Sequence, residues 1–99
     1  MAQIRWTPQA ADDLDAIADF IALDSSHYAN LFVLNVITNI GRLDQFPMLG
    51  RVVPEKQNPH IRELILGNYR IIYRLTNDFV EILTIYHGAR LLDLSRLTK

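Results

Sequence analysis

Cysteine is absent from the chain. That excludes a disulfide framework and thiolate metal sites, and it suits a reducing compartment. His27, His60 and His87 lie far apart and lack metal-ligand spacing, so no metal and no cofactor are expected. A glycine-rich phosphate loop, a G-x-S-x-G elbow and a thiol nucleophile are all missing. No apolar run reaches the roughly 18 residues that a membrane-spanning helix needs. The N-terminal stretch "MAQIRWTPQAADDLDAIADF" has one arginine, then turns acidic without an uninterrupted apolar core, unlike a secretory leader. The expectation is a soluble, cytoplasmic protein.

What remains is a short chain with a large apolar fraction. Its 99 residues, 49% hydrophobic, predict one domain over 1–99 with a real core. The net charge of −1 hides an asymmetry. Residues 1–50 carry two basic and six acidic groups, 2 − 6 = −4, and residues 51–99 carry eight and five, 8 − 5 = +3. That balance is too weak for tight, non-specific nucleic-acid binding.

Residues 3–6 form a short strand candidate. "TPQAADDLDAIADFIALD" predicts a helix, with Thr7 as N-cap and Pro8 at the first helical position. Ala10, Leu14, Ile17 and Ile21 make one apolar stripe, and the aspartates fall on the other side. "SSHYANLFVLNVITNIGRLDQF" predicts a second helix, capped by Ser25 or Ser26. Its broad apolar face is Phe32, Val33, Val36, Ile37, Ile40 and Leu43. Leu31 and Leu34 fall outside that arc. The short link between the helices predicts an antiparallel hairpin.

"PMLGRVVPEKQNP" reads as a loop. Three strands follow, turning at Gly67-Asn68 and at Asn77-Asp78. The tail "GARLLDLSRLTK" predicts a short C-terminal helix or an extended end. The fold class is α+β, in the order β-α-α-β-β-β, with an antiparallel sheet packed on an α-helical hairpin.

Two-residue turns fix a register. In it, Leu64, Leu66, Tyr69, Ile71, Tyr73, Val80, Ile82 and Tyr86 face the helices, with Arg62 on the same side. The far face holds Glu63, Arg70, Arg74, Glu81 and His87, set among Ile65, Ile72, Leu83 and Ile85. Cross-strand pairs such as Arg74 with Glu81 account for the charges. Charges together with open aliphatics predict a partner surface. Trp6 and Phe46 read as core. One enzymatic arrangement survives inspection. His87, near Tyr86 and Arg90, could act as a base beside arginines that stabilise a phosphorane. The competing reading of His87 is a structural histidine at the end of the last strand.

Four segments in order carry a resemblance: "W…A..DL..I..FI" at the start, "L…P..GR" at 43–51, "IREL…NYRIIYR" and "VEILTIYHGAR". Together they resemble the RelE/ParE superfamily of bacterial toxins over nearly the whole chain. The resemblance implies the toxin of a type II toxin–antitoxin system. It also implies a cognate antitoxin, ParD-like and of the ribbon-helix-helix type, that assembles with it. RelE-like members cut mRNA at the ribosome, whereas ParE-like members inhibit DNA gyrase without nuclease activity. Ile65 and Asn58 stand where RelE-like toxins carry basic residues, although Lys56 and Arg90 match that pattern. The position of the RelE tyrosine falls near Arg96, and no tyrosine follows Tyr86. The helical hairpin and His87 at the end of the last strand resemble ParE-like toxins.

The expectation is therefore a ParE-like gyrase inhibitor with no catalytic residues, involved in plasmid stabilisation. Arg70, Arg74, Arg90, Arg96 and Lys99 are the expected target contacts. Leu31, Leu34, Ile72, Leu83 and Ile85 are the expected antitoxin contacts, with packing against the C-terminal tail as the competing use of those aliphatics. The alternative is a ribosome-dependent mRNA endonuclease using His87, Arg90 and Arg70. A third reading is a degenerate toxin that only binds its antitoxin.

Overall fold

The computed structural model describes residues 2–88. The predicted tail, with Arg90, Arg96 and Lys99, lies outside them. The elements are β1 (Gln3–Trp6), α1 (Pro8–Ala22), α2 (Ser26–Gly41), β2 (Arg51–Val52), β3 (Ile61–Leu66), β4 (Tyr69–Leu75) and β5 (Phe79–His87). Both helices start where their caps predict. Thr7 Oγ1 accepts the Ala10 N–H at 3.1 Å, and Ser25 Oγ accepts the Tyr28 N–H at 3.2 Å. Each bond satisfies one of the amide donors a helix start leaves unpaired.

The sheet has five strands in the order β1-β5-β4-β3-β2. It is antiparallel except at one edge, where β1 runs parallel to β5. β5 is the strand most thoroughly buried, and this arrangement pairs both of its edges. β2 is an addition to the predicted order, since residues 51–52 lie within the segment read as loop. The helices cover one face. Ala10, Leu14, Val36, Ile40, Leu43, Ile71, Tyr73, Val80, Ile82 and Ile85 form the main core there. Each large aliphatic buried this way contributes roughly 1.5–3 kcal/mol. Ile37 and Phe46, both expected in the core, are exposed instead.

The first hairpin keeps the predicted register, from Leu66 opposite Tyr69 to Ile61 opposite Arg74. Its turn places Gly67 at φ 59°, a left-handed conformation that glycine adopts without a steric penalty. The second hairpin holds its register only from Leu75 opposite Val80 to Tyr73 opposite Ile82. A bulge then inserts one extra residue, and Ile72 pairs with Thr84. One inserted residue reverses the facing of every side chain beyond it. Ile85 turns to the helix face, Tyr86 to the far face, and His87 comes opposite Tyr69.

Helix α1 anchors this bulge. Thr7 Oγ1 lies 2.8 Å from the Ile82 carbonyl and 3.1 Å from that of Leu83. Asp13 Oδ2 accepts the Thr84 hydroxyl at 2.5 Å and the Ile85 N–H at 3.1 Å. Asp13 is therefore not on the solvent side with the other aspartates. It satisfies β5 amide and hydroxyl groups beyond the point where β1 ends.

Candidate functional site: a neutralised arginine cleft and an uncharged helix face

The far face of the sheet is largely covered, contrary to the open face predicted from the sequence, and of the aliphatics expected there Ile65 alone is exposed. The segment after β2 folds across it. Val53 packs with Ile61, Ile72, Leu83 and Tyr86 in a second core cluster. Ile72 and Leu83 are buried there, and Ile85 is buried on the helix side. These three expected antitoxin contacts are thus core residues in the isolated chain. The reasons are the bulge, which moves Ile85, and the loop, which covers the other two.

Arg70 lies at the centre of this face, 7% exposed. A guanidinium that deep requires partners to offset desolvation, and it has two carboxylates. Its Nε donates to Glu63 Oε1 at 2.6 Å. Its Nη1 and Nη2 donate to the two oxygens of Glu55 at 2.7 and 2.9 Å, a bidentate fork. Glu63 is itself buried, and its other oxygen accepts Arg51 Nε at 2.5 Å. Two arginines face two glutamates, 2 − 2 = 0, so the cluster is electrically neutral. The hydrogen bonds from Arg70 hold the Glu55 carboxyl down at about 2. The Glu55 pair in turn raises the Arg70 pKa, so its charge is permanent.

Tyr86, opposite Arg70 in the β4–β5 ladder, joins this cluster. The Arg70 guanidinium lies 5.5 Å from the centre of its ring. Its hydroxyl is buried and has no hydrogen-bond partner among the described residues, and burial raises its pKa. Beside the network a cleft of about 540 Å³ opens, lined in part by Arg51, Glu55, Asn68, Arg70 and His87. The His87 ring packs edge-on against Tyr69 at 5.4 Å, and Tyr69 in turn packs on Phe32 at 4.9 Å.

Arg74 also has a partner. It pairs with Glu81, the cross-strand pair read from the sequence, through Nε at 3.1 Å and a second contact from Nη2. Arg62 keeps the helix-side facing that its register gives and donates to the Gly50 carbonyl at 2.9 Å. The structure therefore brings Arg70 and His87 to one cleft and keeps Arg74 in a separate pair. The remaining expected target contacts, Arg90, Arg96 and Lys99, fall outside the described residues. Sequence reasoning missed Glu55, and it read Arg51 as either a surface loop arginine or a tether for the loop. Both sit in a stretch with no periodicity, and only the folding of the loop over Arg70 gives them a role.

The second feature is helix α2. Its 16 residues, "SHYANLFVLNVITNIG", contain no aspartate, glutamate, lysine or arginine. Its solvent side exposes Tyr28, Leu31, Leu34 and Ile37, with Leu34 at 61%. Phe20 and Leu23 are exposed at the tip of the helical hairpin. Exposed apolar side chains on a helix without charge are the kind of surface that partners use.

Residues 4–92 match the family described as "ParE toxin of type II toxin-antitoxin system, parDE". The toxin RelE2 of Caulobacter vibrioides is 36% identical over 92 residues, covering 92% of this chain and 100% of RelE2. Among solved structures, a chain of the chromosomal ParDE toxin–antitoxin system from P. aeruginosa superposes with a TM-score of 0.73. It is 29% identical and covers 88% of this chain and 96% of that one. A chain of the RelBE2 toxin–antitoxin complex from Mycobacterium tuberculosis has a TM-score of 0.55 at 22% identity, over 87% of this chain and 96% of that one, which bears on the fold alone.

Proposed function

Because the chain belongs to the ParE toxin family of type II toxin–antitoxin systems, we propose that it is a binding toxin that inhibits DNA gyrase and cuts no RNA. The observation that carries this reading is the neutral Arg70 cluster. Cleavage of RNA needs free cationic donors aimed at charge that develops on phosphorus. Here Arg70, the arginine best placed for that role, spends its donors on Glu55 and Glu63. The competing reading, an mRNA endonuclease using His87, Arg90 and Arg70, draws on the likeness to RelE2.

Inhibition works through contact: the toxin holds or blocks a gyrase–DNA state. Since Arg70 is turned inward, we assign target contact to Arg74, Arg90, Arg96 and Lys99. The basic second half of the chain would steer the toxin toward an acidic target. The partner in the resting cell is a ParD-like antitoxin, and both act in the cytoplasm. The exposed, uncharged face of α2 is its docking surface, with Leu31 and Leu34 as anchors and Tyr28 and Ile37 extending the same face. An amphipathic antitoxin segment that folds on binding matches such a surface.

The test is a supercoiling assay with purified gyrase and the full chain. Loss of supercoiling, or cleaved DNA trapped on the enzyme, is expected, and the antitoxin should reverse it. Undisturbed supercoiling at a large excess of folded chain would sink the proposal.

A further inference from the structure

The Arg70–Glu55 contact is a two-pronged fork between a buried guanidinium and a carboxylate carried on a loop. Glu55 lies on the segment between β2 and β3, with its side chain about one third exposed. It presents both oxygens to the terminal nitrogens of a guanidinium whose own side chain is 9% exposed. The two-pronged geometry is the one by which arginine also takes a phosphate oxyanion. Arg51, about two thirds exposed, stands on the other side of the buried Glu63. Asn68 adds an amide to the lining of the cleft that opens beside them.

We propose that Glu55 is an internal plug occupying a latent oxyanion site, whose ligand class is a phosphate group of the kind carried by a nucleic-acid backbone. With the plug in place, the cluster sums to zero and the outer fork of Arg70 is occupied. With it withdrawn, Arg51 and Arg70 face Glu63 alone, 2 − 1 = +1, around an open cleft. The inference rests on the reading that the cleft is not a nuclease centre, but it does not depend on gyrase being the target.

The experiment compares four forms of the full chain: wild type, Glu55→Gln, Glu55→Gln with Arg51→Gln, and Asp78→Asn. The last raises the net charge by the same amount at an exposed turn. Inorganic pyrophosphate is titrated calorimetrically, and a short single-stranded RNA by fluorescence anisotropy. The Glu55→Gln form should bind both probes about tenfold or more tightly than wild type, since a neutral amide competes for the Arg70 fork far less than a carboxylate does. Asp78→Asn should bind like wild type, and Arg51→Gln should erase most of the gain. Tighter binding of pyrophosphate alone would still support the oxyanion site and would restrict it to small phosphates. A folded Glu55→Gln form that binds no better than wild type would overturn the proposal, as would an equal gain in Asp78→Asn. Cleavage of RNA by the wild-type chain would instead overturn the functional reading beneath it, so the two failures can be told apart.

Discussion

The two faces of the sheet are both covered, but by different means. The helix face is sealed by an aliphatic and aromatic cluster drawn from α1, α2 and the three long strands. The far face is sealed by a smaller apolar cluster and by a four-member ion-pair network that a loop completes. Burial by aliphatic packing is tolerant, because volume can be redistributed. Burial by ion pairs is brittle, because one lost partner strands a charge. The same network also settles what the cleft can offer a ligand. On this account, the chemistry of the chain is decided on the face with the weaker apolar core.

The largest expected effect comes from breaking the network at its most buried member. Glu63→Ala should destabilise the fold by about 3–5 kcal/mol, because Arg70 and Arg51 both lose a carboxylate. That equals or exceeds the roughly 2–5 kcal/mol expected for Ile71→Ala on the helix face. Chemical denaturation measures both. A Glu63→Leu, Arg70→Met double variant should recover most of the loss, and a failure to recover would deny that the cost is electrostatic.

Gly50→Ala ranks next. A Cβ there would lie 2.4 Å from the Glu63 carbonyl oxygen and 2.7 Å from the Tyr73 hydroxyl. That hydroxyl accepts the Gly50 N–H at 2.8 Å and donates to the Pro47 carbonyl at 2.9 Å, fixing where the loop begins. The substitution should cost about 2–3 kcal/mol, seen as a lower Tm.

A smaller effect concerns acid. Hydrogen bonds from Arg70 hold the folded Glu55 carboxyl at about 2, below its ordinary value of 4.5. A depressed carboxyl contributes stability that is present above its unfolded pKa and is lost as pH falls through its folded one. The partial exposure of Glu55 limits this contribution to about 1 kcal/mol. The stability gap between wild type and Glu55→Gln should therefore be full above about pH 5 and shrink toward pH 2. A gap that stays constant with pH would contradict the pairing.

Smallest is Arg74→Ala. Its pair with Glu81 is a quarter exposed on each side, so stability should fall by less than about 1 kcal/mol. Gyrase inhibition should nevertheless weaken measurably if Arg74 is a target contact.

The helix face was legible in the sequence because periodicity encodes it. Caps at Thr7 and Ser25, the stripe Ala10–Leu14, and the tight turn at Gly67 all appear where their chemistry places them. The far face was legible only in part. Glu63, Arg70, Arg74 and Glu81 share it as the register requires. The bulge has no marker in "FVEILTIYH", because an inserted Leu83 is as apolar as Ile82 before it and no glycine or proline punctuates the strand. It alone moved Ile85, Tyr86 and His87 to the opposite faces from those predicted. Asp13 reads as a solvent-side helix residue until Thr84 and the Ile85 amide are placed beside it. Phe46 and Ile37 read as core from hydrophobicity, although hydrophobicity does not by itself decide burial. The absence of charge from α2, by contrast, was visible in the sequence, and its exposed side is where we propose that the antitoxin docks.

The most direct test of the central claim, that a neutralised Arg70 leaves this fold unable to cut RNA, is primer-extension mapping of mRNA in a translation reaction. The purified full chain is added in excess over ribosomes. Intact message at every codon is the predicted result. Codon-positioned cuts that disappear with His87→Ala would contradict it and would make the cleft a nuclease centre.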